Sequence, residues 1–164
     1  MEITKVACNK ESCTCNHCVR ACKYKPGWFK PGEIEKVAEF MKLSVKELFD
    51  QYLTVDWYVD AHADTGDIFL IAPATIHNRA GGMMPYDPTG TCVFLKDNRC
   101  SIHPVKPFEC RDSTADENIH LITQPRHREV GGSWLGSKQP EELLGYKPSA
   151  PTPKSFAEMC GMFF

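Results

Sequence analysis

Cys8-Asn9-Lys10-Glu11-Ser12-Cys13-Thr14-Cys15-Asn16-His17-Cys18-Val19-Arg20-Ala21-Cys22 is the most telling segment of the chain. It holds five of the chain's nine cysteines and little that can build a core. With so little to bury, it reads as a loop whose shape a bound metal must supply, because metal binding contributes folding free energy. The run Cys13-x-Cys15-x2-Cys18-x3-Cys22, with Cys8 just before it, places thiols close enough to face one metal from a single turn. Soft thiolate donors suit zinc, Cu(I) and the iron of iron–sulfur clusters.

A second group, Cys92-x7-Cys100-x9-Cys110, lies some seventy residues further on. Remote cysteines of this kind tie distant segments to the same metal. Cys8, Cys13, Cys15, Cys18, Cys22, Cys92, Cys100 and Cys110 are thus eight candidate ligands, enough for one or two sites. Cys160 sits among Met159, Met162 and Phe163 and reads as a core cysteine. A zinc ion held by four thiolates and a [4Fe–4S] cluster need the same number of ligands, so counting does not choose between them. The bacterial ferredoxin run C-x2-C-x2-C-x3-C-P has a longer first gap, and a proline where Lys23 stands here. A zinc ribbon needs paired C-x2-C knuckles, and only Cys15/Cys18 has that spacing. His17 and His103 lie near the cysteines and read as polar neighbours more readily than as substitutes for a thiolate. His62 with Asp64, His77, and His120 with His127 form no convincing ligand or catalytic set.

The bulk properties narrow the function classes. The chain has 164 residues, 42% hydrophobic and 24% charged, with a formal net charge of −2, which fits one globular domain. No basic stripe points to nucleic acid as a partner. No apolar run approaches the roughly 20 residues that span a membrane. The start, MEITKVACNK, lacks the apolar stretch of a secretory signal. A cytoplasmic location follows as the expectation, and there thiols serve as metal ligands more often than as disulfides. No nucleophile motif, P-loop or dinucleotide fingerprint occurs, so no catalytic residue is assigned.

Pro31-Gly32 marks a helix start, followed by Ile34, Val37, Ala38 and Met41 at helical spacing. Ser44 and Glu47 form a capping box that opens a second helix, with Val45, Leu48, Phe49 and Tyr52 as its buried stripe. The two helices should form a hairpin joined near Leu43. Val55, Trp57 and Val59 alternate with polar residues as in a half-buried strand, and Ile68–Ala72 is a second strand-length run. Residues 92–95 and 100–103 read as a β-hairpin around Lys96-Asp97-Asn98-Arg99. Beyond Arg111 the pattern weakens. Ile119, Leu121 and Ile122 suggest a short element, and Gly131-Gly132 a break. Residues 147–153 read as an extended linker before an apolar end.

These residues resemble a cysteine-cluster family of zinc- or iron-chelating domains whose hallmark is CxxCxxCC. The hallmark lies over Cys15–Cys22, with Ala21 in place of the first cysteine of the CC pair. The later pattern falls on Cys92-Val93-Phe94-Leu95, on Cys100-Ser101-Ile102-His103, and on Lys106-Pro107-Phe108-Glu109-Cys110-Arg111. The resemblance covers about residues 8–112. It implies metal chelation through Cys15, Cys18, Cys22, Cys92, Cys100 and Cys110, with Cys13 and Cys8 as further candidates.

The expected fold is a small α+β domain organised around a cysteine-ligated metal centre, with a helical hairpin and a short β-hairpin. Residues 1–136 would form the metal-binding domain and residues 137–164 a proline-containing C-terminal tail. The leading functional expectation is an iron–sulfur cluster, of [4Fe–4S] type, serving electron transfer or redox chemistry with a protein partner or larger complex. The alternatives are a structural zinc-binding interaction module, with Leu143, Leu144 and Tyr146 as docking segment, and a metal-dependent modifying enzyme.

Overall fold

A computed structural model describes residues 16–78, 80–86, 89–111 and 119–152, with the backbone alone at 16–17 and 119–125. Cys8, Cys13, Cys15, Cys160 and the apolar end lie outside the described residues.

The described residues begin with helix α1 (Asn16–Tyr24), which takes in the second half of the metal-shaped loop expected over residues 8–22. The correction has a simple basis: Cys18 and Cys22 stand four residues apart, a spacing that shares one helix face. Helix α2 (Glu33–Met41) begins after Gly32 and buries Ile34, Val37 and Ala38. Helix α3 (Val45–Tyr52) carries the capping box, with the Ser44 hydroxyl accepting from the Glu47 N–H and the Glu47 carboxylate accepting from the Ser44 N–H. Hydrogen bonds from the Ser44 side chain and backbone hold the Glu47 carboxyl below its ordinary range. Leu48 and Phe49 are the fully buried members of its stripe.

Strands β1 (Leu53–Val59) and β2 (Asp67–Pro73) pair antiparallel, from Leu53 opposite Pro73 to Val59 opposite Asp67. The strands fall where the sequence puts them, but β1 does not alternate between buried and exposed. Thr54 and Asp56 are buried as well as Val55, while Val59 is exposed. A neighbour on the other edge explains this. The Val55 N–H donates to Gly82 O at 2.8 Å, the Met84 N–H to Val55 O at 2.7 Å, and the Thr54 hydroxyl to Gly82 O at 2.7 Å.

The second hairpin is shorter than expected. Strands β3 (Leu95–Lys96) and β4 (Arg99–Cys100) meet through Leu95–Cys100 and Lys96–Arg99. Asp97 and Asn98 have φ of 48° and 57°, the two left-handed residues that a tight hairpin turn requires. Cys92 bridges Thr75 instead, and His103–Val105 forms a 3₁₀ turn.

Helix α4 (Phe108–Arg111) precedes α5 (Ile119–Ser133), which runs through Gly131 and Gly132 where a break was expected. Gly131 is there for close approach: a Cβ on it would lie 2.3 Å from Tyr58 Cδ1. Its partner ring is on β1, so the sequence around it carries no sign of the contact. Val130 and Trp134 then reach the core, and the Trp134 indole N–H donates to Phe29 O at 2.6 Å. Helix α6 (Gln139–Leu144) packs on β2, with Pro140 buried and Leu143 and Leu144 against this chain's own core.

One continuous core results, around Trp28, Phe29, Phe49, Phe94, Leu70, Ile71 and Trp134. Each such side chain contributes roughly 1.5–3 kcal/mol on burial. The chain thus has helices and small antiparallel sheets, an α+β fold. No helix among the described residues is long and apolar enough to cross a membrane.

Candidate metal centre

The two cysteine groups meet through the backbone. The last carbonyls of a helix have no partner within it. At the end of α1, Cys22 O accepts the Cys92 N–H at 2.7 Å, and Tyr24 O accepts the Gly90 N–H at 2.7 Å. The helix of the first group is therefore capped by the segment that carries the first cysteine of the second group. That segment is fixed in turn to the edge beyond β2, through Ile76 N–H to Thr91 O and Val93 N–H to Ala74 O, both 2.9 Å.

Cys92 is buried at 7% exposure. The N–H groups of Phe94 and Leu95 lie near its sulfur, and the Leu95 N–H donates to the Cys92 carbonyl oxygen at 3.0 Å. Cys100, half-buried on β4, has the Ile102 N–H near its sulfur.

Cys110 is positioned from three directions. Its sulfur lies deep, although the residue keeps some exposed surface, and it accepts the Gly27 N–H. Glu109 Oε2 accepts the Trp28 N–H at 2.7 Å, which fastens the Pro26-Gly27 turn to α4. Glu33, buried in the first turn of α2, accepts the Phe108 N–H at 3.0 Å and the Lys30 N–H at 2.8 Å, and pairs with Arg111. A helix as short as α4 does not stand alone. These two carboxylates hold its start and its middle. Gly27 has no side chain because there is no room for one: a Cβ there would lie 2.6 Å from Cys110 Sγ.

The electrostatics show which thiols are neighbours. Burial pushes the Cys92 thiol up to about 12, with Cys22 and Cys100 adding to the shift and the N–H groups opposing it. Burial also pushes Cys110 well above the usual thiol range, with Cys22, Cys92 and Glu109 adding to it. Burial raises Cys100 too, against its Ile102 hydrogen bond and the Lys106 ammonium. Cys22, Cys92 and Cys110 are therefore within electrostatic reach of one another, and Cys100 of Cys92. Cys18 lies one helical turn before Cys22 and is half-buried.

Among the described residues, no three or more His, Cys, Asp or Glu side chains stand close enough to hold one metal ion. The donor chemistry nevertheless fits a soft metal. Cys92, Cys100 and Cys110 are free thiols, each with backbone N–H groups aimed at its sulfur. Such donors favour the thiolate, the form a metal takes up. His103 is buried with Nε2 3.4 Å from Lys106 Nζ, as a neighbour of the hairpin.

Sequence reasoning missed the carboxylates and His127. His127 Nδ1 lies 2.6 Å from Glu109 Oε1, and its ring stacks on Trp28 at 3.5 Å between centroids. Glu109 stands beside Cys110 in the sequence, which is a signal, but nothing there links it to Trp28 or to α5.

No curated protein and no solved structure matches the chain. A family model does match, over residues 14–128: CxxCxxCC, described as "Putative zinc- or iron-chelating domain". The match takes in α1, the Pro26-Gly27 turn, both hairpins, α4 and the His127 segment of α5. With its two cysteine groups joined at the Cys22–Cys92 hydrogen bond and the model spanning most of its length, the chain belongs to the CxxCxxCC family, whose domain chelates zinc or iron.

Proposed function

We propose that the chain holds an iron–sulfur cluster of [4Fe–4S] type and exchanges electrons with a protein partner. The observation that supports this reading is the junction of the two cysteine groups, with the Cys92 N–H donating to Cys22 O at 2.7 Å and Cys110 Sγ packed against Gly27 of the turn that follows α1. Hydrogen bonds to sulfur and exclusion of solvent are the protein's means of setting a cluster's reduction potential. Cys15, Cys18, Cys22, Cys92, Cys100 and Cys110 are the leading ligands, with Cys13 and Cys8 behind them. A cluster bound there supplies one-electron transfer. The free thiols of Cys92, Cys100 and Cys110 suit a reducing, cytoplasmic setting.

A second reading has its own support. The Cys92–Cys100 hairpin, with N–H groups turned back onto each sulfur, also suits a structural zinc ion that fixes an interaction module.

The test is purification without oxygen, followed by measurement of iron, zinc, acid-labile sulfide and the visible spectrum. Iron with sulfide and a broad brown absorption is the expected result. Zinc alone in a colourless protein would overturn the electron-transfer reading and leave the structural one. Cys110→Ser and Cys92→Ser should each lose the metal, and full retention in both would remove them from the ligand set.

A further inference from the structure

Between β1 and the His127 segment of α5, beside Lys25 and Trp28, lies an open cleft of about 460 Å³. Its walls are aromatic: Trp57 and Tyr58 from β1, Tyr86 from the loop after Met84, and the His127 ring from α5. Tyr86 is 57% exposed, so its ring has a face to offer. The cleft is also built with care at its base. Asp56, only 3% exposed, accepts the Trp28 indole N–H at 2.7 Å. It also pairs with Lys25 at 3.7 Å. A buried carboxylate is costly unless it is bonded in this way. Here it holds an ammonium at the cleft and orients the indole on which His127 stacks.

His127 is held as firmly. The Glu109 carboxylate accepts a hydrogen bond at Nδ1, with Oε1 2.6 Å away, and Tyr58 meets the imidazole edge-on at 5.8 Å. A carboxylate on Nδ1 leaves Nε2 as the lone-pair side of the neutral ring. Gly131, one turn further along α5, supplies the geometry. Only without a side chain can the helix sit on the Tyr58 ring and so bring His127 down onto Trp28. A glycine inside a helix costs about 0.5–1 kcal/mol relative to alanine. Core packing alone does not require the polar equipment at the end of that approach.

We propose that this cleft is a binding site for a small planar heteroaromatic molecule whose edge carries a hydrogen-bond acceptor beside a donor. Lactam rings of the pterin, flavin and oxopurine kind have such an edge. The ring stacks on the Tyr86 and Trp57 side chains. Lys25 donates to its carbonyl, and His127 Nε2 accepts from its N–H. The Lys25 ammonium is already paired with the Asp56 carboxylate, which favours an uncharged ring over a strongly ionic ligand. The volume lies within the range of about 300–1,000 Å³ usual for small-molecule sites.

The test uses the metal-loaded full chain, with riboflavin as a fluorescent probe and hypoxanthine as its competitor. Saturable quenching of riboflavin, reversed by hypoxanthine, is expected. Tyr86→Ala removes an exposed ring without touching the core, and His127→Gln removes the imidazole acceptor. Each should weaken binding about tenfold, the effect of one lost stacking or hydrogen-bonding partner. Tyr86→Ala should do so with metal content and far-UV circular dichroism unchanged. Leu135→Ala, at an exposed position away from the cleft, should bind as the parent does. Absence of saturable quenching would overturn the proposal, and so would parental affinity in Tyr86→Ala.

Discussion

Replacing Gly27 by alanine puts a methyl carbon 2.6 Å from Cys110 Sγ, 3.1 Å from Glu109 Cβ and 3.4 Å from Cys110 N. Non-bonded heavy atoms prefer about 3.5–4.0 Å, so the first contact must open by roughly 1 Å. Gly27 is not among the glycines with positive φ, so alanine suits its backbone and the collision alone sets the cost. Two movements relieve it. The turn can lift away, which weakens the Gly27 N–H to Cys110 sulfur bond and the Trp28 N–H to Glu109 bond. Alternatively α4 can move, which pulls on the Glu33 contacts to Phe108 and Arg111. Overpacking of this kind costs about 1–3 kcal/mol. In a domain of this size each kcal/mol lowers Tm by about 2–4 °C. Since both movements displace Cys110 Sγ from its donor, metal content should fall with stability. The assay is thermal unfolding of the purified protein beside its iron and zinc content per chain. Gly132→Ala is the control: nothing lies within 4 Å of a Cβ there, and the helix should gain about 0.5–1 kcal/mol. A Gly27→Ala protein with full metal and the parent's Tm would refute the reasoning.

Other perturbations follow from the same geometry. Gly131→Ala sets a methyl 2.3 Å from Tyr58 Cδ1 and should cost about 1–3 kcal/mol, so a gain matching Gly132→Ala in urea unfolding would contradict the close approach. Glu33→Ala strands the Phe108 N–H and leaves Arg111 without its carboxylate, which should cost about 1–3 kcal/mol and lower metal content, both read as for Gly27→Ala. Metal uptake by the stripped protein should release protons, because Cys92 at about 12 and Cys110 well above the usual range are neutral thiols before the metal arrives. Lowering the pH should therefore weaken metal binding, and titration in a weakly buffered solution with no proton release would count against thiolate ligation. Removal of the metal by a chelator should leave most of the α2, α3 and β1–β2 signal in far-UV circular dichroism, since their core of Ile34, Phe49, Leu70 and Ile71 is packed without it.

What was legible in the sequence was local. Ser44 and Glu47 announce α3 because the capping box is complete within four residues. Ile34, Val37 and Ala38 announce α2 because one helix face repeats at short range. Asp97-Asn98 announces a tight turn because few residues accept positive φ. The cysteines announce metal chemistry by residue type alone. The unread parts depend on pairs distant in sequence. Thr54 and Asp56 look like the solvent face of a strand until Gly82 and Trp28 cover them. Gly131-Gly132 looks like a break until Tyr58, more than seventy residues away, is seen to need the space. The helix over Cys18 and Cys22 is hidden because closely spaced cysteines suggest a metal loop, although their four-residue spacing also fits one helix face.

That last difference changes how the centre is assembled. A loop shaped by its metal would have no fixed cysteines until the metal arrived. Here the thiols of the second group have positions that other forces determine. Cys92 is held by its bonds to α1 and to the strand edge, and Cys100 by a two-residue hairpin. Cys110 is held through Glu33 and Glu109, whose carboxylates accept the Phe108 and Trp28 N–H groups. A site whose thiols are partly placed by packing loses less conformational entropy on binding metal than one folded from coil. The cost moves elsewhere: buried thiols must give up protons where desolvation opposes the charge. The N–H groups of Gly27, Phe94, Leu95 and Ile102 offset that cost, and they do so only while the Pro26-Gly27 turn and the hairpin keep their shape. If the proposed thiols hold the metal, the glycine at 27 and the glutamate at 109 shape that site from outside the set of sulfurs.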